Sequence, residues 1–127
     1  MSESFTGVVR DFHENGLLES EVFLCNGKKE GEYKTFYENG QLWVHCFYVN
    51  DKLEGEYKRF YYNGHLDISC FNVNGKKNGI YKEFYGNGQL YVHTFYVDGN
   101  INGEYKQFDW NGQLELHCFY VNGKKID

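Results

Sequence analysis

Glycine recurs in this chain at a fixed spacing. Gly7, Gly31, Gly55, Gly79 and Gly103 are each 24 residues apart. So are Gly16, Gly40, Gly64, Gly88 and Gly112, each of them preceded by Asn. A second turn column reads Asn26-Gly27, Asn50-Asp51, Asn74-Gly75, Asp98-Gly99 and Asn122-Gly123. Five copies without an insertion restrict the chain to architectures in which one supersecondary unit stacks on its neighbours. The units run over about 7–30, 31–54, 55–78, 79–102 and 103–127, within a single domain spanning 1–127.

Each unit contains two runs rich in aromatic and β-branched residues, such as Gly31–Tyr37 and Gln41–Val49, bounded by Asn-Gly pairs. That pattern predicts strands. The Asn-Gly inside "FYENGQL" predicts a two-residue hairpin, since both residues tolerate positive φ. The return "NGKKEG" reads as a longer connection. Reversals this tight leave no room for parallel crossovers. The fold class is therefore all-β: an elongated, twisted antiparallel meander of five hairpins and about ten strands, forming an open single-layer sheet. A closed barrel is the alternative, because ten strands can join first to last.

Strict alternation groups the Leu42, Val44 and Cys46 columns on one face. Phe47 and its equivalents have the opposite parity, as Tyr33 has to Phe36. Either a bulge shifts parity within the strands, or both faces carry aromatic stripes.

Composition supports a folded chain. Aromatics make up 20% of the 127 residues, Pro is absent and Gly numbers 15. The net charge of −5, from 13 Lys and Arg against 18 Asp and Glu, disfavours nucleic acid and anionic membrane as main partners. The opening "MSESFTGVVR" lacks the basic and apolar regions of a secretory leader, and no apolar run approaches a membrane span. An intracellular, cytoplasmic protein is the expectation.

The unit "GEYKTFYENGQLWVHCFYVNDKLE" resembles the variant MORN repeat, found in arrays of toxin–antitoxin-associated proteins and in proteins of large DNA viruses. The likeness rests on the glycine–aromatic start, the "FYENGQL" turn and the "YVNGKKNG" type of return, and it covers about Gly7 to Lys125. It implies an open antiparallel array that serves protein–protein assembly, with antitoxin-like inhibition of a cognate toxin as the alternative and phospholipid scaffolding as the second. It supplies no catalytic residue, metal or cofactor. A viral relative would act in host cytoplasm or in the virion.

The residues themselves offer little chemistry. Equivalent cysteines in adjacent repeats, such as Cys46 and Cys70, stand about 9–10 Å apart, beyond the roughly 7 Å Cα separation that a disulfide spans. The same spacing keeps His45, His93 and His117 from converging on one metal ion, though half-buried imidazoles can respond to pH. In "GHLDISCFN" the set His65, Asp67 and Cys70 has the vocabulary of nucleophilic catalysis. Alternation puts the first two on one face and the thiol on the other. A polar interruption of the aromatic stripe is the plainer reading.

Trp43, Tyr62, Tyr91 and Trp110, together with Lys76, Lys77, Lys124 and Lys125, are the candidate interaction surface. Tyr and Trp offer large contact area at low entropic cost. The lysines gather in the return turns, where they suppress edge pairing or engage an acidic partner or headgroups. Lipid is the lesser expectation, and no cofactor is expected. Repeat one is the more polar and reads as a cap, with Val9 replacing Tyr and Glu19, Ser20 and Glu21 in its second strand. Repeat five ends in an aromatic strand, so homodimerisation through that edge or through an aromatic face is expected.

Overall fold

A computed structural model describes residues 5–126. It contains fourteen antiparallel strands in one open sheet. Ten are long: β1 (Gly7–Phe12), β2 (Leu18–Cys25), β3 (Lys28–Phe36), β4 (Leu42–Val49), β6 (Gly55–Phe60), β7 (Leu66–Val73), β9 (Gly79–Phe84), β10 (Leu90–Val97), β12 (Gly103–Phe108) and β13 (Leu114–Val121). Four are short: β5 (Lys52–Leu53), β8 (Lys76–Lys77), β11 (Asn100–Ile101) and β14 (Lys124–Ile126). The long strands follow chain order across the sheet, and each short one folds back on the strand before it. β1 and β14 stand at opposite ends and do not pair, so the sheet is open and the barrel alternative is excluded.

The short strands explain why about ten became fourteen. After each return turn the chain pairs briefly backwards, as Lys52 with Val49 and Leu53 with Tyr48. Glu54 N then donates to Phe47 O at 2.9 Å, and Gly55, at φ 88°, turns the chain into β6. β6 meets β4 only at Arg59 and Lys58, paired with Val44 and His45. The return turn closes onto the repeat before it: Gly75 N donates to Leu53 O at 2.9 Å and Gly99 N to Lys77 O at 2.8 Å.

The two turn columns exchange the roles expected of them. In the return turns both central residues have positive φ, as Asn74 at 54° and Gly75 at 83°. These are the two-residue hairpins. In "FYENGQL" only Gly40 has positive φ. Gly40 N donates to Tyr37 O and Tyr37 N to Gln41 O, both at 2.9 Å, which defines a three-residue loop closing on a glycine bulge. Asn39 remains useful there, because its Oδ1 accepts from Gln41 N at 2.9 Å.

That loop shifts the register. Phe36 pairs with Leu42 but Thr35 with Val44, leaving Trp43 as an extra residue. The same break recurs in all five hairpins and makes a bulged column of Glu19, Trp43, Asp67, Tyr91 and Glu115. Beyond it alternation is regular. Val44, Cys46 and Tyr48 share a face with Thr35 and Tyr33, while His45 and Phe47 share the other with Lys34 and Glu32. Both sequence alternatives thus hold together: there is a bulge, and both faces carry aromatics. The leucine column, paired with Phe36 and its equivalents, moves from the valine–cysteine face to the phenylalanine face.

A single layer buries little. The most buried apolar positions are Cys46 at 1% exposure, Val92 at 4%, Cys70 at 7% and Cys118 at 8%, joined by Thr94 at 1%. Four of these five occupy one column, facing Tyr33, Tyr57, Tyr81 and Tyr105 across the hairpins. Small side chains are needed there because tyrosine rings fill the space around them. The surface area of 7991 Å² exceeds the roughly 7,000 Å² of a compact globule of this size.

Candidate interaction surface

The bulge re-aims its extra residue toward the tyrosine face. Asp67 shows this directly: its carboxylate accepts from Arg59 Nε at 2.9 Å, and Arg59 pairs with Val44 and Ile68 on that face. Trp43 at the equivalent place packs on Tyr37, ring centroids 5.3 Å apart. Tyr62, from the loop of the following repeat, meets the same Tyr37 edge-on, also at 5.3 Å. Two repeats on, Tyr85 is flanked by Tyr91 at 4.8 Å and Trp110 at 5.2 Å. The four aromatics read from sequence therefore form two triads, about 19 Å apart at four strand spacings. Trp43 is 43% exposed, Tyr62 59% and Trp110 56%, and Tyr91 is half-buried. Between the triads stands Tyr61, with Asp67 and Gly86 where the others carry aromatics.

The central rings, Tyr37 and Tyr85, were not singled out from sequence, although the "FY" pair was in plain view. Repeats one to four each place a ring here that reaches the next one. Tyr37 Oη donates to Phe60 O at 2.7 Å, Tyr61 Oη to Phe84 O at 2.5 Å and Tyr85 Oη to Phe108 O at 2.9 Å. In repeat one His13 Nε2 makes the same contact with Phe36 O at 2.8 Å. Burial, with the Asp67 carboxylate second, raises the Tyr37 and Tyr61 phenols, so they remain protonated donors. Loop asparagines add a parallel link: Asn15 Nδ2 donates to Glu38 O at 2.9 Å and Asn63 Nδ2 to Gly86 O at 3.1 Å.

The lysines lie at the opposite long edge, apart from the aromatics. Lys76, Lys124 and Lys125 are exposed. Lys77 pairs with Asn72 and folds onto the tyrosine face, its Nζ 6.0 Å from the Tyr81 ring centroid and 5.7 Å from that of Tyr96. Lys29 does the same over Tyr33 and Tyr48, at 5.0 Å from each. The rim is thus divided between free cations and cations held over rings.

On the phenylalanine face His45 Nε2 lies 2.7 Å from Glu32 Oε2, and His117 Nε2 lies 2.7 Å from Glu104 Oε2. Lys34 and Lys106 approach the same glutamates at 3.7 and 3.8 Å. The Glu32 carboxyl is held below its ordinary value chiefly by the His45 hydrogen bond. Repeat four breaks the pattern with Ile80 in the glutamate column, and burial followed by Lys82 and Lys106 lowers His93. Among the described residues no three His, Cys, Asp or Glu side chains are grouped to hold a metal ion.

The His65, Asp67 and Cys70 set needs one correction. The bulge brings Asp67 to the face of Cys70, against the alternation expected. Asp67 is nevertheless held by Arg59, and burial raises the Cys70 thiol, which disfavours its thiolate. The outer edge of repeat five also differs from expectation: β14 covers β13 at Phe119, Tyr120 and Val121, leaving Leu114–Cys118 as its uncovered part.

No curated protein matches the chain. The model of the MORN repeat variant family matches residues 29–50, 53–71, 77–98 and 101–122. These segments take in repeats two to five and leave out the polar first repeat. Together they cover more than half of the sequence, and the chain belongs to the MORN repeat variant family.

Proposed function

We propose that the chain is a non-enzymatic interaction module for protein assembly, and that its partner protein docks on the loop edge of the tyrosine face across the two aromatic triads. The observation that carries this reading is a contrast between equivalent positions. Where Trp43 and Tyr91 stand, the other repeats have Glu19, Asp67 and Glu115. Where Tyr62 and Trp110 stand, they have Glu14, Glu38 and Gly86. The fold is built equally well with polar residues there, so packing does not require the aromatics. Exposed indole and phenol rings clustered on one edge fit a partner that desolvates them. Four free thiols accord with action inside the cell.

The test is affinity capture from the source cells with the wild-type chain, a W43A/W110A variant and a K124E/K125E variant. The partner should be retained by the lysine variant and lost by the tryptophan variant, with both variants showing wild-type β-sheet circular dichroism. Equal recovery on a correctly folded W43A/W110A chain would sink the reading. Loss only on the lysine variant would move the contact to the return edge.

A further inference from the structure

In three hairpins a tyrosine paired with the strand's first glycine lies diagonally across from the tyrosine two residues on. Tyr48 meets Tyr33 at 5.6 Å between centroids, Tyr96 meets Tyr81 at 5.3 Å, and Tyr120 meets Tyr105 at 5.9 Å. Repeat three has Asn72 in that place, so Tyr57 lacks the partner ring its equivalents have. The position otherwise given to a phenol becomes a pocket of about 270 Å³, lined by Leu53, Tyr57, Arg59, Ile68, Cys70, Asn72, Lys77 and Tyr81. For comparison, a cavity of about 150 Å³ suffices to take up benzene. The pocket is therefore sized for one ring with a substituent.

Its lining has a definite chemistry. Tyr57 and Tyr81 supply ring faces, and Leu53 and Ile68 supply apolar walls. Asn72 is only 4% exposed. Its side chain lines the pocket and approaches the Cys70 thiol, so the wall carries one amide. The charge is one-sided. Arg59 is matched by Asp67 at 2.9 Å, and Glu83, the nearby acid, is engaged by the Tyr81 hydroxyl at 2.8 Å and stands outside the lining. Lys77 approaches no carboxylate within ion-pair distance among the described residues; it rests over rings.

We infer that repeat three carries a binding site for a small molecule with a single aromatic ring and an anionic group, the ring taking the place of the missing tyrosine against Tyr57 and the anion meeting Lys77 and the Asn72 amide. The site lies on the tyrosine face between the two triads and does not depend on the protein-docking reading.

The probe is 4-hydroxyphenylacetate, titrated into the full chain and followed by amide chemical shifts, with tyramine as the cationic counterpart. Saturable binding is expected with a Kd on the order of 0.1–1 mM, typical of a ligand this small. Tyramine should bind at least about fivefold more weakly, as expected where one unpaired charge sets the preference. Asn72→Tyr restores the residue that three of the other four hairpins carry; it should fold, melt higher than wild type and lose binding. Lys77→Glu, which leaves the rings in place, should reverse the preference in favour of tyramine. No saturation at about ten times that Kd, undiminished binding by Asn72→Tyr, or an unchanged preference in Lys77→Glu would each overturn the assignment.

Discussion

The Tyr85 hydroxyl donates to the carbonyl oxygen of Phe108 at 2.9 Å, and the residue after Phe108 is not a tyrosine but Asp109. A ring that reaches the next repeat needs a next repeat. Asp109 instead turns its carboxylate inward, accepting from Asn111 N and Gln113 N, both at 2.9 Å. The ladder of rings that begins at His13 therefore gives way at Asp109 to bonds within its own loop.

If the ladder couples the repeats, Tyr85→Phe should lower unfolding free energy by about 1 kcal/mol, the net worth of one hydrogen bond. Asp109→Tyr should lower it by a similar amount, because two turn bonds are lost and no carbonyl waits for the new hydroxyl. Urea unfolding of both variants checks this. A Tyr85→Phe midpoint equal to wild type would show that the contact is geometric only.

The glycines separate backbone strain from crowding. A Cβ added at Gly16 or at Gly86 would meet nothing within 4 Å, yet Gly16 has φ 90° and Gly86 does not have positive φ. Gly16→Ala should destabilise by about 1–2 kcal/mol through left-handed backbone alone. Gly86→Ala should be neutral or stabilise by up to about 1 kcal/mol, because it narrows the unfolded ensemble. Thermal unfolding reads both. Equal signs would mean that φ is not the deciding factor.

The period, the strands and the open array were legible because glycine identity and aromatic spacing repeat without error. The bulge was not. Leu42, Val44 and Cys46 look like unbroken alternation, and only the main-chain register reveals that Trp43 is an extra residue. Nor do the two Asn-Gly columns differ in letters: Asn74 has φ 54° while Asn39 is not at positive φ, and that choice is made by the loop length each must close. The candidate surface was legible only in part. Trp43, Tyr62, Tyr91 and Trp110 stood out by type, but their grouping onto Tyr37 and Tyr85 follows from the bulge. Asn72 was visible as a polar interruption, whereas the space it leaves depends on a ring seen only across the hairpin.

His93 gives the sheet a pH response with a definite sign. Its imidazole is lowered by burial and then by Lys82 and Lys106, against a small opposing effect from Glu104. The unfolded chain therefore takes up this proton first, near the ordinary 6.5, and the folded chain later. Stability falls as pH drops through 6.5 and levels off below the folded value. Glu32, also held low, is lost in a separate window below 4.5. Ile80→Glu gives His93 the carboxylate that Glu32 gives His45 and Glu104 gives His117. The loss of stability between about pH 7.5 and 5.5 should then shrink or reverse relative to wild type. Identical slopes for the two proteins would remove His93 as the source.

Thiol reactivity tests the tyrosine–cysteine column. Cys25 is exposed, whereas Cys46, Cys70 and Cys118 are buried. Burial pushes the Cys46 thiol up to about 11 and raises Cys70 as well, so access and thiolate content oppose reaction together. A disulfide reagent at neutral pH should titrate one of the four thiols rapidly, and the remaining three at the rate of local opening. Cys118 should lead those three, because no further repeat packs beyond β13 at that level and Leu114 and Leu116 beside it are 53% and 41% exposed. Cys46, at 1% exposure with repeats on both sides, should come last. Mass spectrometry of timed samples gives the order directly. A second rapid thiol, or Cys46 ahead of Cys118, would mean that the array does not open from its end.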